Sequence, residues 1–258
     1  MIVCFSGNGN TRFVADRLAD RLADRLADTV TPLRAPLIDD PEPTLPLTGN
    51  SHIIWAFPVY AWGIPAKVRD FIRRVKISGG KVTHYMVATC GDDIGMTAVQ
   101  WRRLMRQRGF NAAGAWSVTM PNTYVSLPGF DVDAPETVRR KLADVPKQIE
   151  EIARGIESGF TGDNVIRGDM PRFKSSVLRP LFEMLLMSPR HFSTTTDCVG
   201  CGICARACPT GNIVIAGDCR PQWSDNCTMC LACYHSCPHH AVAYGRMTRS
   251  KGQYHLPK

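Results

Sequence analysis

Cys198-Val199-Gly200-Cys201-Gly202-Ile203-Cys204-Ala205-Arg206-Ala207-Cys208-Pro209 is followed, 29 residues later, by Cys227-Thr228-Met229-Cys230-Leu231-Ala232-Cys233-Tyr234-His235-Ser236-Cys237-Pro238. Both copies spell C-x₂-C-x₂-C-x₃-C-P, the ligand spacing of two-cluster iron–sulfur sites. Three cysteines separated by two residues let a tight loop wrap three corners of a cubane. The fourth, followed by proline, points away and completes the other cluster. The spacing therefore predicts two [4Fe–4S] clusters with crossed ligation. Cys198, Cys201, Cys204 and Cys237 surround one; Cys227, Cys230, Cys233 and Cys208 surround the other. A structural zinc site would pair two cysteines with two more, or with histidines, some distance on, and three crowded cysteines fit that poorly. Pro209 and Pro238 turn the chain without an N–H that needs a partner. Small residues at Gly200, Gly202 and Ala232 let backbone N–H groups approach sulfur. Cys219 falls outside the pattern as a bystander, and His235, His239 and His240 read as exposed loop residues.

Nine of the eleven cysteines lie at or after position 198, leaving only Cys4 and Cys90 before it. A disulfide framework would suit a secreted chain. Here Met1-Ile2-Val3-Cys4-Phe5-Ser6 runs straight into a glycine loop without the basic flank and long apolar stretch of a secretory signal. A cytoplasmic location is expected. No apolar run reaches the roughly 18 residues of a membrane span, so no transmembrane segment is expected. Residues 1–165 carry 20 Lys and Arg against 18 Asp and Glu, whereas residues 166–258 carry 11 against 5. Each thiolate-held cluster brings about two negative charges, which offsets most of that excess. Nucleic acid is therefore not an expected partner.

Ahead of the cysteines, strand-like runs at residues 2–5, 29–33, 53–57, 82–89 and 112–120 alternate with helical stretches. One helix runs from the first glycine loop to about Asp28, and others cover residues 66–75, 98–108 and 136–158. Five strands alternating with helices predict a parallel sheet covered on both faces. Arg-Leu-Ala-Asp occurs three times across residues 17–28, aligning Leu18, Leu22 and Leu26 along one stripe of a solvated helix.

Ser6-Gly7-Asn8-Gly9-Asn10-Thr11 follows the first strand and opens the first helix, where backbone N–H groups can hold a phosphate. A nucleoside-triphosphate loop would need Gly-Lys-[Ser/Thr]. A dinucleotide fingerprint would need glycine at Arg12 and an acid near Thr31-Pro32-Leu33-Arg34. Ser6 and Thr11 suit instead a hydroxyl-rich loop around the phosphate of FMN; on the loop alone a structural glycine turn stays open. Phe57-Pro58-Val59-Tyr60-Ala61-Trp62-Gly63-Ile64-Pro65 and Thr89-Cys90-Gly91-Asp92-Asp93 follow the third and fourth strands, at the same sheet edge. Tyr60 and Trp62 are platforms for a flat ring, with core packing the alternative. The expected cofactor residues are Ser6, Gly7, Asn8, Gly9, Asn10, Thr11, Pro58, Tyr60, Trp62, Gly63, Thr89, Cys90, Gly91 and Asp92. A carbonyl at Gly63 or Gly91 could turn toward the ring, since glycine tolerates that flip.

Residues 161–196 break the alternation. Within them an apolar stretch containing Leu178, Leu181, Phe182, Leu185 and Leu186 reads as a helix, either on a membrane surface or packed between two domains. Its modest length favours packing around Leu181. The tail after Gly245 carries Arg246, Arg249, Lys251, His255 and Lys258 with Tyr254, and should fold back across the junction.

Together with Met120-Pro121-Asn122-Thr123-Tyr124, Pro221-Gln222-Trp223 and Gln253-Tyr254-His255-Leu256-Pro257, these motifs resemble the family of anaerobe proteins that fuse a flavodoxin-like domain to a two-cluster bacterial ferredoxin domain. Asn8 stands where that family's loop usually has threonine, and Gln253 where arginine is common. The resemblance implies a flavodoxin-like α/β domain with a doubly wound five-stranded parallel sheet at 1–160 and a linker at 161–196. A small α+β dicluster ferredoxin domain at 197–245 and a basic tail at 246–258 complete it. It implies an FMN-linked electron carrier serving redox partner proteins. A flavin-dependent reductase and a cluster-only module with an empty flavodoxin domain are the alternatives. No catalytic residue is identified, Asp92 and Asp93 being near the loops by location only, and homo-oligomerisation is left open.

Overall fold

The structure, a computed structural model, describes residues 1–26, 29–47, 52–78 and 81–256, and for residues 24–26, 185 and 186 the backbone only. The expected helix end near Asp28, the side chains of Leu26, Leu185 and Leu186, and the terminal Pro257 and Lys258 lie outside the described residues.

Six strands build the main sheet: β1 (Ile2–Cys4), β2 (Val30–Pro32), β3 (His52–Pro58), β4 (Thr83–Cys90), β5 (Asn111–Thr119) and β6 (Gly162–Asn164). All pairings are parallel, in the order β2-β1-β3-β4-β5-β6. The four inner strands are largely apolar because both faces are covered. In β3, Ile53, Trp55 and Phe57 enter one core with Phe71 and Trp101. Ile54 and Ala56 enter the other with Leu18, Leu22 and Ile149. Helices α2 (Ala66–Arg74) and α3 (Thr97–Gln107) serve the first core; α1 (Asn10–Leu26) and α4 (Pro135–Glu157) serve the second. The order 2-1-3-4-5 is flavodoxin-like, with its topological switch point between β1 and β3.

The sixth strand corrects the expected five. β6 reads Gly-Asp-Asn and has no apolar signature; it is held from outside. Arg102 donates from Nε to Asp163 (2.7 Å) and from Nη2 to the carbonyls of Ala113 and Gly162 (2.7 Å each), tying β6 to β5.

The stretch expected as a linker is largely structured. Pro171–Phe173, the π-helical Lys174–Leu178 and Arg179–Leu186 form one continuous helix, α5. Its docking departs from the expectation at Leu181, although Phe182 from the same stretch packs against Tyr124 (ring centroids 5.6 Å). Polar groups do the holding: Ser175 donates to the Trp62 carbonyl (2.9 Å) and accepts from the Met96 N–H (2.9 Å). Arg179 reaches Gln100 (2.6 Å) and the Ile64 carbonyl (2.8 Å). Two glycines make the seat. A Cβ at Gly63 would overlap the Arg179 guanidinium, and one at Gly95, where φ is +53°, would stand 2.6 Å from Ser175 Oγ. Leu181 itself is 48% exposed and Met184 74%.

The cysteine-rich unit consists of β7 (Phe192–Thr194), α6 (Ile203–Ala207), β8 (Ile213–Ile215), β9 (Pro221–Trp223), α7 (Ala232–His235) and β10 (Val242–Tyr244). β7 pairs antiparallel with β10, and β8 with β9. The unit thus begins at Phe192, inside the stretch expected as linker. The tail does fold back. Lys251 donates to the carbonyls of Val125 (3.0 Å), Leu127 and Phe130 (2.5 Å). Val125, from the loop after β5, is fully buried in the core of the cysteine-rich unit.

Candidate functional site

The loops after β1, β3 and β4 leave the sheet at one edge and enclose a cavity of about 340 Å³, within the range of small-molecule sites. Ser6, Gly7, Asn8, Asn10 and Thr11 line it from the first loop, Pro58, Tyr60 and Trp62 from the second, and Thr89, Cys90, Gly91 and Asp92 from the third. Of the expected residues only Gly9 and Gly63 are not on its wall. Gly9 (φ +95°) instead turns the chain into α1, and Gly63 makes room for Arg179.

Each loop has a local reason for its shape. Thr11 and Thr89 share a hydroxyl hydrogen bond of 2.7 Å that ties the first loop to the third. Residues 60–63 form a tight turn in which Tyr60 and Gly63 exchange backbone bonds of 3.1 Å. Its two central residues, Ala61 (φ +46°) and Trp62 (φ +55°), both sit in the left-handed region, a conformation that costs non-glycine residues free energy and clusters at functional sites. Lys141, on α4, donates to the Gly91 carbonyl (2.8 Å) and to Asp133 (2.7 Å), while Asp133 accepts from the Asn122 N–H (2.9 Å). One ammonium therefore clamps two cavity loops. The carbonyls of Gly63 and Gly91, expected to be free to turn, are both already engaged. Asp93 is paired with Lys174 (2.6 Å). Burial pushes the Cys90 thiol up to about 12, so it is uncharged.

The thiols fall into two rings. Cys198, Cys201, Cys204 and Cys237 surround one void; Cys208, Cys227, Cys230 and Cys233 surround a second. Each ring borrows its fourth member from the other repeat. Among the described residues no group of three or more His, Cys, Asp or Glu converges closely enough for a single metal ion; the sulfurs ring a space instead. Backbone N–H groups of Asn212, Met229 and Ala241 point at the sulfurs of Cys208, Cys227 and Cys237, each at 3.3 Å. Burial raises the Cys227 thiol to about 12 and Cys230 to about 11. Thiols so desolvated ionise only with a cation beside them, which coordinated iron supplies. Donor set and surroundings both fit iron–sulfur cubanes.

The two rings have matching backbones. Left-handed residues recur at the 29-residue offset as Gly200 and Met229, Gly202 and Leu231, Gly211 and His240. Sequence reasoning noticed the first two glycines but not their counterparts; aligning the repeats would have exposed them. Cys219 (φ +62°) is exposed against Gly200, outside both rings. His239 and His240 are exposed as expected. His235 is not: it is buried, its Nδ1 accepts from the Tyr254 N–H (3.1 Å), and its Nε2 donates to the Thr123 carbonyl (2.8 Å).

Cavity and second ring share a wall. Cys230 lines both, and Met229 and Leu231 flank it in the cavity. The approach requires glycine at position 7, where a Cβ would stand 2.7 Å from Cys230 Cβ and 2.9 Å from Tyr60 Oη.

Comparison with known proteins bears on both halves. Residues 194–214 match the 4Fe-4S binding domain family. No curated protein matches the chain. Among solved structures, a Streptococcus pneumoniae flavodoxin is similar at 21% identity over 60% of this chain and 97% of its own (TM-score 0.37). The Trp repressor binding protein of Bacillus subtilis is 13% identical over 60% and 96% (TM-score 0.35). An azoreductase of Bacillus anthracis is 11% identical over 59% and 97% (TM-score 0.39). At these scores the fold assignment rests on strand order rather than on the likenesses. The chain joins a flavodoxin-like α/β fold to a 4Fe–4S binding region, the make-up of an iron–sulfur redox protein of electron transport. Among the described residues no helix is long and apolar enough to cross a membrane.

Proposed function

We propose that the chain is an electron carrier that couples FMN in the three-loop cavity to two [4Fe–4S] clusters in the thiol rings. The observation that carries this reading is Cys230, which belongs to the second ring and to the cavity wall at once. Bound FMN supplies one- or two-electron chemistry and each cluster supplies one-electron chemistry.

The residues divide the work of holding these groups. The first ladder bond of α1 runs from the Phe13 N–H to the Gly9 carbonyl, so the N–H groups before Phe13 precede the ladder and suit a phosphate. Ser6 Oγ accepts from the Arg12 N–H (3.3 Å), which leaves its own proton for a phosphate oxygen. Tyr60 and Trp62 offer ring faces. Cys198, Cys201, Cys204 and Cys237 hold one cluster, and Cys227, Cys230, Cys233 and Cys208 the other. In domain terms, residues 1–160 carry the flavin, the cysteine-rich unit carries the clusters, and partners are redox proteins that exchange electrons with it.

Anaerobic purification followed by iron, sulfide and flavin quantification tests the reading. The expected result is about eight irons per chain and one FMN. About two zincs with negligible sulfide would defeat it, and full clusters without flavin would leave a cluster-only module. For the phosphate loop, Ser6→Ala combined with Thr11→Ala should weaken FMN binding by about 1.5–3 kcal/mol per lost bond. Unchanged affinity in a titration would place the phosphate elsewhere.

A further inference from the structure

Helix α5 turns its polar side inward. Lys174, Ser175 and Arg179 anchor it to the loops beneath, while Met170, Phe173, Val177, Leu181 and Met184 are all exposed. Phe173, Val177, Leu181 and Met184 step by four, four and three residues, the spacing of a single helix face, and Met170 stands just before the first turn. A surface helix ordinarily buries such a stripe, and a contiguous exposed one marks a contact surface. The anchors hold the stripe outward, so it cannot roll under without breaking the Ser175 and Arg179 bonds.

The surroundings indicate what covers it. At the start of the stripe, Met96, Met170 and Phe173 line an open groove of about 470 Å³ whose walls include Arg172 and Arg167, the latter also paired with Asp163 (2.9 Å). Guanidinium groups beside an apolar floor match a phosphate attached to a hydrocarbon chain. Of the five Lys and Arg in residues 166–192, Arg167 pairs with Asp163, Lys174 with Asp93 and Arg179 with Glu183, which leaves Arg172 at one end of the helix and exposed Arg190 beyond the other without an acid partner among the described residues. A second copy fits less well. In a two-fold pairing, parallel or antiparallel, the helix ends carrying Arg167 and Arg172 or Arg190 would meet one another, stacking like charge on like.

We propose that this face docks on an anionic phospholipid bilayer, with α5 lying in the headgroup plane and a lipid phosphate seated between Arg167 and Arg172. Lys174 and Phe182 line the FMN cavity from the inner side of the same helix, so docking brings that cavity within one helix diameter, about 10 Å, of the lipid surface. The inference does not depend on what the cavity holds.

Co-sedimentation of the purified full chain with vesicles provides the test. Phosphatidylcholine mixed with phosphatidylglycerol should bind at least ~10-fold more protein than phosphatidylcholine alone, and raised salt should abolish the difference. Val177→Asp with Leu181→Asp should reduce binding to the neutral-vesicle level while leaving the visible spectrum unchanged. Arg167→Gln with Arg172→Gln should remove only the preference for anionic lipid, and it decides the matter should the aspartate variant fail to fold. Absent or lipid-independent binding would overturn the proposal. So would a dimer seen by light scattering that the aspartate variant splits, since that would assign the face to a second copy.

Discussion

The two cysteine repeats share a backbone but sit in different environments. In the first, the left-handed positions are Gly200 and Gly202, Val199 is 62% exposed, and Cys201 is at the surface. In the second the same positions carry Met229 and Leu231, and Leu231 is 2% exposed. Glycine is the natural occupant of such a backbone, because it bears no Cβ penalty there. The second repeat accepts that penalty to place apolar side chains in the cavity wall. One ring thus faces solvent and the other faces the flavodoxin-like half, so a duplicated motif has been divided between an outer and an inner station.

The largest effect should come from breaking the crossing between repeats. Cys208→Ser lies in the first repeat by sequence but lines the second void; Cys237→Ser is the reverse. Each should lower iron from about eight to about four per chain, and electron paramagnetic resonance should show a different cluster surviving in each. Cys208→Ser is expected to remove the signal that Cys230→Ser also removes. If each substitution instead eliminates the cluster of its own repeat, the crossed assignment is wrong.

A smaller and more discriminating effect is expected from exchanging the left-handed residues. Leu231→Gly relieves backbone strain of about 1–2 kcal/mol but deletes a buried side chain worth about 2–5 kcal/mol. The net should be a loss of about 2 kcal/mol in denaturant unfolding, together with weaker FMN binding. Gly202→Leu gains no packing and costs only the conformational term, about 1–2 kcal/mol, with FMN binding untouched. A Cβ at position 202 would come nearest the flexible end of Arg206, at 3.2 Å, which can move aside. A neutral or stabilising Leu231→Gly would mean that the cavity wall does not need the leucine.

Much of this was legible in the sequence, for physical reasons that also explain the gaps. Strands such as Ile53–Phe57 announce themselves through unbroken apolar runs, and the three loops share an edge because parallel strands must present them there. The cysteine rings follow from spacing. What escaped was held by partners far away in the chain. Gly162–Asn164 is clamped to its neighbour by Arg102, about 60 residues earlier in the chain. The apolar residues of α5 look like a contact between the two domains until Ser175 and Arg179 are seen to anchor the helix from its other side. His235 looks like a loop histidine until Thr123 and Tyr254, distant on either side in sequence, close around it.

The smallest effect expected concerns that histidine and its counterpart. Position 235 in the second repeat corresponds, at the 29-residue offset, to Arg206 in the first. Burial lowers His235 to about 4, so the ring is neutral near pH 7 and can donate from one nitrogen while accepting at the other. It joins the cysteine-rich unit to the loop at Thr123 and to the tail at Tyr254. His235→Leu strips both bonds and leaves a carbonyl and a buried N–H without these partners, for a cost of about 2 kcal/mol. Arg206 is exposed, and among the described residues its guanidinium reaches only the Cys201 carbonyl (3.2 Å). The bond from Arg34 goes to the Arg206 backbone carbonyl (2.8 Å) and survives any substitution there. Arg206→Leu should therefore change stability by no more than about 0.5 kcal/mol. Paired denaturant titrations, with iron content monitored in each variant, measure the contrast. Equal losses at both positions would mean that the outer repeat is packed as tightly as the inner one, and the division between the two stations would fail.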